Sequence, residues 1–176
     1  DKFQPEFSQD WFVAACQEAG VTYDEAILPV IFDPTVMPKS LSLEGEDLLL
    51  ASANNYYEGV TMKEVDKFYS ELIDENDPRP ISYGLNSKLM KDDSGKIVEQ
   101  TWKLGGMYSA AIQQIVFWLE KAAGVAQEPQ KSIINALVNY YRTGALREFD
   151  RYNVLWVGDN ESNIDFVNGF IEDYGD

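Results

Sequence analysis

Residues 97–124 read IVEQTWKLGGMYSAAIQQIVFWLEKAAG, and the change of period inside this stretch decides the fold. Ile97, Val98, Thr101 and Trp102 are good strand formers. Upstream, Asp92-Asp-Ser-Gly95 supplies turn residues between the arms Ile81–Lys91 and Lys96–Leu104, which predicts a hairpin. After Gly105-Gly106 the pattern switches: Tyr108, Ile112, Ile115, Val116, Leu119, Ala122 and Ala123 form one broad apolar stripe at helical spacing, with Gly124 as its stop. A hairpin that hands the chain to an amphipathic helix points to an α+β unit.

Working toward the C-terminus, Pro129 opens a second helix with Ile133, Ile134, Leu137, Val138 and Tyr141 turned inward and Gly144 at its end. Leu146, Phe149 and Tyr152 continue as a shorter helical turn. Asn153 to Val157 reads as a strand and Gly158-Asp-Asn160 as a turn. Asn163 to Tyr174 fits two patterns: Ile164, Phe166, Asn168 and Phe170 alternate as a strand does, while Val167, Phe170, Ile171 and Tyr174 fit a helix; the expectation is a strand over 163–170.

Toward the N-terminus, Thr61-Met-Lys-Glu64 is a capping box opening a helix over 61–74, stopped by Asn76-Asp-Pro-Arg-Pro80. Ser8 or Asp10 caps a helix carrying Trp11, Phe12, Ala15, Cys16 and Ala19 and ending at Gly20. A second box, Thr22-Tyr-Asp-Glu25, opens a segment that Pro29 cuts short. Pro34 and Pro38 then make 29–40 an extended connector, and Leu48 to Tyr57 reads as helix. No repeat or low-complexity run interrupts the pattern. The expected fold is α+β, predominantly helical with a small antiparallel sheet.

The composition restricts the chemistry. The 176 residues carry 14 Lys and Arg against 30 Asp and Glu, a net charge of −16. Such a surface repels nucleic acid and anionic membrane, and no basic cluster reverses this, so neither is an expected partner. There is no histidine, which removes His-based acid/base catalysis, Ser-His-Asp triads and Cys-His dyads from the chain. A zinc site would have to use Cys16 and carboxylates alone, far from the usual ligand sets. The single cysteine forms no intrachain disulfide and favours a reducing, cytoplasmic setting. No apolar run reaches the ~18 residues of a membrane span. The opening Asp-Lys-Phe-Gln-Pro has neither initiator Met nor a signal peptide's apolar region, and reads as a trimmed start.

Few stretches look chemical in themselves. Gly105-Gly106 before a helix could offer amides to an anion, but without a lysine motif a tight turn is the better reading. Asp92-Asp93-Ser94-Gly95 lacks the alternating acids and terminal Glu of a calcium loop. Asp74, Glu75 and Asp77 read as a solvated acidic run. Aromatics from Tyr56 to Trp156 could form a sugar platform, yet most lie on the apolar faces and read as core. Two stretches stand apart. Tyr83-Gly-Leu-Asn86 would let a ligand approach the backbone closely. In Asn163-Ile-Asp-Phe-Val-Asn168-Gly, Asn163, Asp165 and Val167 would share one strand face, with Asn168 on the other. Turn capping and ordinary hydrogen bonding compete for both.

The order of motifs adds a resemblance. Asn55-Tyr-Tyr57 with Val60-Thr-Met-Lys-Glu64, Tyr83-Gly-Leu-Asn-Ser-Lys-Leu89, Gly105-Gly-Met-Tyr108, Tyr140-Tyr-Arg-Thr-Gly144, Leu155-Trp-Val157 and Asp165-Phe-Val-Asn-Gly-Phe-Ile-Glu-Asp-Tyr-Gly-Asp176 together resemble the dipeptidyl peptidase III family, in particular its Bacteroides-like branch. The likeness is collinear from about residue 29 to the end of the sequence.

The resemblance implies a two-lobed zinc exopeptidase that removes dipeptides from peptide N-termini. Its zinc is held by a His-Glu-x-x-x-His helix and a further Glu, and the motif Glu activates water. None of these elements is present, so the resemblance implies an internal fragment that contributes substrate-binding cleft and scaffold, binds no metal and has no catalytic residue of its own. It further implies lower-lobe character for 1–104 and 153–176 and upper-lobe character for 105–152. Substrate would add as a strand along Asn163, Asp165 and Asn168, with Tyr83, Gly84, Leu85 and Asn86 as pocket wall. The expected partners are short peptides and the remainder of the parent enzyme, with self-association or an exposed apolar patch where the helices lack their native neighbours. A free-standing peptide-binding module is the alternative, and a carbohydrate-binding domain using exposed aromatics a more distant one.

Overall fold

A computed structural model describes residues 5–37 and 44–169. The chain divides into two units, with the boundary between Asn54 and Asn55.

In the first unit, α1 spans Gln9–Ala19. Ser8 caps it by accepting from the Trp11 amide at 3.2 Å, and Gly20 closes it in the left-handed conformation with φ 66°. Phe7, Phe12, Tyr23 and Phe32 gather against this helix with ring centroids 5.2 to 6.4 Å apart. The next helix, α2, covers Ile27–Phe32, which corrects two expectations. Pro29 does not cut it short, because a proline in the first turn forfeits only an amide that has no intrahelical partner. The Thr22 box does not form either: Asp24 Oδ1 accepts from the Ala26 amide at 2.9 Å instead. The connector expected over 29–40 is therefore helical to Phe32 and then turns on Asp33, which accepts from Thr35 N at 2.8 Å; its last residues, 38–40, lie outside the described residues. The helix expected over Leu48–Tyr57 is a single turn, α3 (Leu48–Ala51), capped by Asp47.

The second unit contains β1 (Tyr57–Glu58), α4 (Met62–Ser70), β2 (Ser87–Lys91), β3 (Ile97–Thr101), α5 (Ser109–Val125), α6 (Gln130–Thr143) and α7 (Leu146–Val157). The Thr61–Glu64 box forms in both directions, but the helix it opens ends at Ser70 rather than 74. The hairpin register pairs Ser87 with Thr101 and Lys91 with Ile97. Residues 81–86 of its expected first arm are not strand. β1 joins β2 in parallel, Tyr57 opposite Leu89, so the sheet is mixed rather than purely antiparallel. Asp92 builds the turn by accepting from Ser94 N, Ser94 Oγ and Lys96 N.

Helix α5 runs through Gly124 to Val125, correcting the expected stop: a glycine interior to the last turn weakens a helix without ending it. Gly144 does end α6, with φ 70°. The strand expected over 153–157 is the second half of α7. Phe149, Tyr152 and Trp156 recur at intervals of three and four toward the core, while the strand-favouring Val154 and Val157 face outward. The strand expected over 163–170 is absent among the described residues 163–169; Phe170 lies outside them. The sheet ends at β1 and β3 and offers this segment no neighbour.

One core holds the second unit together. Trp102, Ile112, Val116, Ile133, Leu137 and Tyr152 are its buried centre, at the junction of α5, α6 and α7. On the outer face of α5, Phe117 and Trp118 are exposed, their rings 5.1 Å apart, with Lys121 Nζ 5.5 Å from the Phe117 ring. Among the described residues no helix is long and apolar enough to cross a membrane.

Candidate functional site

The two polar stretches singled out in the sequence are both fastened at the C-terminal end of α6. Tyr83 stacks on Tyr69 with centroids 6.4 Å apart and planes 20° from parallel. Gly84 follows with φ 84°, and a side-chain Cβ there would lie 3.1 Å from Tyr69 Oη, so this close approach requires glycine. Leu85 is half exposed. Asn86 is buried: its Nδ2 donates to Gly144 O at 2.9 Å, and its carbonyl accepts from Trp102 N at 2.8 Å. The Asn86 side chain also favours ionisation of the Tyr140 hydroxyl, against the larger opposing effect of burial. Its amide thus joins the hairpin to the end of α6.

The second stretch leaves the end of α7 and crosses α6. Asn163 borders an open hollow of about 440 Å³ shared with Glu128, Gln130 and Glu161. Gln130 Nε2 donates to Ile164 O. Asp165 Oδ1 accepts from Trp156 Nε1 at 2.9 Å and from Phe166 N at 2.8 Å. Phe166 packs against the core beside Tyr152. Asn168 Oδ1 accepts from the Tyr141 hydroxyl at 2.5 Å, and its Nδ2 is buried with no hydrogen-bond acceptor among the described residues.

Without a strand the expected alternation has no basis, and Asp165 is held by an indole rather than aligned with Asn163 and Val167. Asn86, through Gly144, and Asn168, through Tyr141, are both fastened at the C-terminal end of α6, where the rings of Tyr140 and Tyr141 lie 5.2 Å apart. No hydrogen bond or ring contact among the described residues joins Tyr83 or Leu85 to Asn163 or Asp165. Tyr140, Tyr141, Gln130 and Trp156 were not singled out from the sequence as supports. Their signal, a polar atom on an otherwise inward-facing aromatic, identifies a group that needs a partner without saying which.

Burial raises the pKa of Tyr140, and that of Tyr141 to about 12, so both hydroxyls stay protonated at neutral pH. The displaced carboxylates go the other way. Glu64 is lowered to about 2, chiefly by the hydrogen bond from Lys91, and Asp77, Asp92 and Asp159 are lowered by hydrogen bonds from neighbouring groups. That is the reverse of what a general acid at neutral pH needs. Among the described residues no group of three or more His, Cys, Asp or Glu could hold a metal. This arrangement can bind and orient through amides, hydroxyls and open backbone.

Over residues 53–176 the chain matches the family model for Peptidase family M49. No curated protein matches the sequence significantly. The class is metallopeptidase. The chain belongs to Peptidase family M49, the dipeptidyl peptidase III family, which is zinc-dependent in general.

Proposed function

We propose that this chain supplies substrate-binding cleft to a zinc-dependent M49 peptidase that releases dipeptides from peptide N-termini, and that zinc ligands and the water-activating Glu come from outside these 176 residues. The family match over residues 53–176 carries the reading. Two features support it. The histidine-free sequence fits no zinc site. Residues 163–169 pair with no strand among the described residues, so that, apart from the Ile164 carbonyl and the Phe166 amide, their backbone is open to an added peptide strand. In this reading Asn163, Asp165 and Asn168 face the peptide's backbone and N-terminus, Tyr83 to Leu85 form pocket wall, and Asn86 fixes that wall from beneath. The lobe assignments of 1–104, 105–152 and 153–176 belong to the same proposal.

The test is to purify the 176-residue chain, assay dipeptidyl-arylamide hydrolysis with and without zinc, and follow amide resonances of 163–168 as a tetrapeptide is added. No zinc-dependent turnover, together with shifts in that segment, is expected. Zinc-dependent turnover would overturn the placement of the machinery, and an unresponsive segment would overturn the binding role. Reading the native coding sequence past codon 176 for His-Glu-x-x-x-His then separates a parent enzyme from a free-standing peptide-binding module.

A further inference from the structure

Asn168-Gly169 is the only Asn-Gly pair in the sequence, and it sits in the segment after α7, outside every helix and strand of the described residues. Where an asparagine precedes a glycine, the next backbone nitrogen carries no side chain to hinder its approach to the carboxamide carbon. Elsewhere the chain obstructs that approach. Ser87 and Ala136, the other small residues that follow an asparagine, are held in β2 and α6. Asn160 and Asn163, in the same segment, precede Glu161 and Ile164, whose side chains crowd the attacking nitrogen.

Three observations set this pair apart. Gly169 is exposed, and its amide makes no hydrogen bond among the described residues, so the nucleophile is free. Asn168 Nδ2 is buried and donates to no acceptor among the described residues, so nothing there holds the leaving nitrogen. The carboxamide is retained at one point, Oδ1, which accepts from the Tyr141 hydroxyl at 2.5 Å. Ring closure carries Cγ onto the Gly169 nitrogen and takes Oδ1 with it, away from a hydroxyl that α6 holds still. The bond to Tyr141 is therefore a brake on the reaction. The hydrogen bonding of the site also suits the product. Asparagine leaves a buried donor unpaired, which is unfavourable. Aspartate presents acceptors only, so it keeps the Tyr141 bond in charge-assisted form and has no donor to leave unpaired.

We infer that Asn168-Gly169 is a self-modifying site, where the chain converts Asn168 to aspartate or isoaspartate at a rate set by the Tyr141 hydroxyl bond. The deprotonated Gly169 nitrogen attacks Cγ, and its proton passes through water to Nδ2. The N–Cγ bond forms, the Cγ–Nδ2 bond breaks, and ammonia leaves a cyclic imide behind. Water then opens the imide at either carbonyl. One opening restores the ordinary backbone with aspartate at 168; the other routes the backbone through the side chain as isoaspartate. Both add a negative charge to the segment proposed to receive peptide. That consequence rests on the peptidase reading, whereas the conversion does not.

The experiment incubates the full chain at neutral and mildly alkaline pH, digests it, and reads each asparagine-bearing peptide by mass for replacement of NH2 by OH. Conversion at Asn168 should outpace that at Asn160 and Asn163 by at least about tenfold, since only Asn168 precedes glycine. It should rise with pH, because the deprotonated amide is the nucleophile. Tyr141→Phe should speed it by about fivefold, the equivalent of one typical hydrogen bond. Gly169→Val should slow it by at least about tenfold through crowding at the β-branched carbon. Asn168→Asp should fold and melt no lower than the unaltered chain at neutral pH. Conversion no faster at Asn168 than at Asn160 and Asn163, a rate unmoved or lowered in Tyr141→Phe, or a lower melting temperature for Asn168→Asp would overturn the inference. Mass alone reads the conversion, so its failure is distinguishable from failure of the segment to bind peptide.

Discussion

The Tyr141 hydroxyl donates a hydrogen bond to Asn168 Oδ1 at 2.5 Å, tying the segment after α7 back to the last turn of α6 on its buried face. Tyr141 is only 3% exposed and Asn168 half-buried, so the bond is largely shielded from water. Three residues further on, the carbonyl of Gly144, which ends the same helix, accepts from Asn86 Nδ2 at 2.9 Å. Two segments far apart in sequence thus both take their positions from the C-terminal end of one helix.

Tyr141→Phe keeps the ring and removes the donor. Asn168 Oδ1 then loses its partner in a site whose Nδ2 is already buried without an acceptor among the described residues. The expected cost is about 1–2 kcal/mol in urea unfolding. Amide exchange of residues 165–169 should accelerate more than that of α5. Equal acceleration across the protein would mean that the bond supports the fold as a whole and not this segment.

Alkaline pH should unfold the chain through its tyrosines. Burial raises Tyr56, Tyr57, Tyr69, Tyr140, Tyr141 and Tyr152, with Tyr141 pushed up to about 12. Below about pH 10 these hydroxyls are protonated in folded and unfolded chains alike, and the protonated folded form is fully available. Between about 10 and 12 the unfolded chain releases protons that folded Tyr141 retains, so stability falls across that window. Tyrosinate absorbance and loss of helical circular dichroism should rise together there. Full tyrosine ionisation with helix content intact would contradict the burial of these hydroxyls.

At the acid end, the sensitive group is Glu64. It accepts from Thr61 N at 2.9 Å and pairs with Lys91 Nζ at 2.8 Å, so it caps α4 and joins it to β2. Its pKa is lowered to about 2, which places its stabilising effect above the ordinary carboxylate range and removes it as pH falls toward 2. Glu64→Gln should flatten the decline of melting temperature between pH 5 and 2. Thr61→Ala should cost about 1 kcal/mol at neutral pH through loss of the N-cap.

What the sequence made legible was local. The Thr61–Glu64 box, the Asp92 turn and the Gly144 cap each depend on residues within four positions of one another, and each forms where the pattern places it. The errors arise where distant partners decide. Asn153 to Val157 is rich in strand formers, but Phe149, Tyr152 and Trp156 extend a helical face onto the core, and that packing overrides propensity. Residues 163–169 alternate as a strand does, yet a strand needs a neighbour, and the chain supplies Gln130, Tyr141 and Trp156 instead. The same limit holds for the site. Asn86 could be picked out from the sequence as polar and close to glycine, whereas its bond to Gly144, 58 residues away, could not.

The paired glycines before α5 separate two reasons for glycine. Gly105 has φ 75° with open space around its Cβ position, so alanine there pays only for the left-handed backbone, about 1–2 kcal/mol. Gly106 does not adopt positive φ, but a Cβ would lie 2.3 Å from the Thr101 carbonyl oxygen and 3.0 Å from Lys103 Cγ. The lysine chain can move; the carbonyl belongs to the last residue of β3 and accepts from Met107 N at 3.1 Å, so it is held by the very turn in question. Alanine at 106 must therefore break the handover from hairpin to helix or displace the strand end beside Trp102. Gly106→Ala should cost about 2–4 kcal/mol, more than Gly105→Ala, with altered tryptophan fluorescence in the folded state. Denaturant unfolding of the two variants decides it: an equal or smaller loss at 106 would show that the turn can open without cost, and that the tight approach to Thr101 is not what fixes the start of α5.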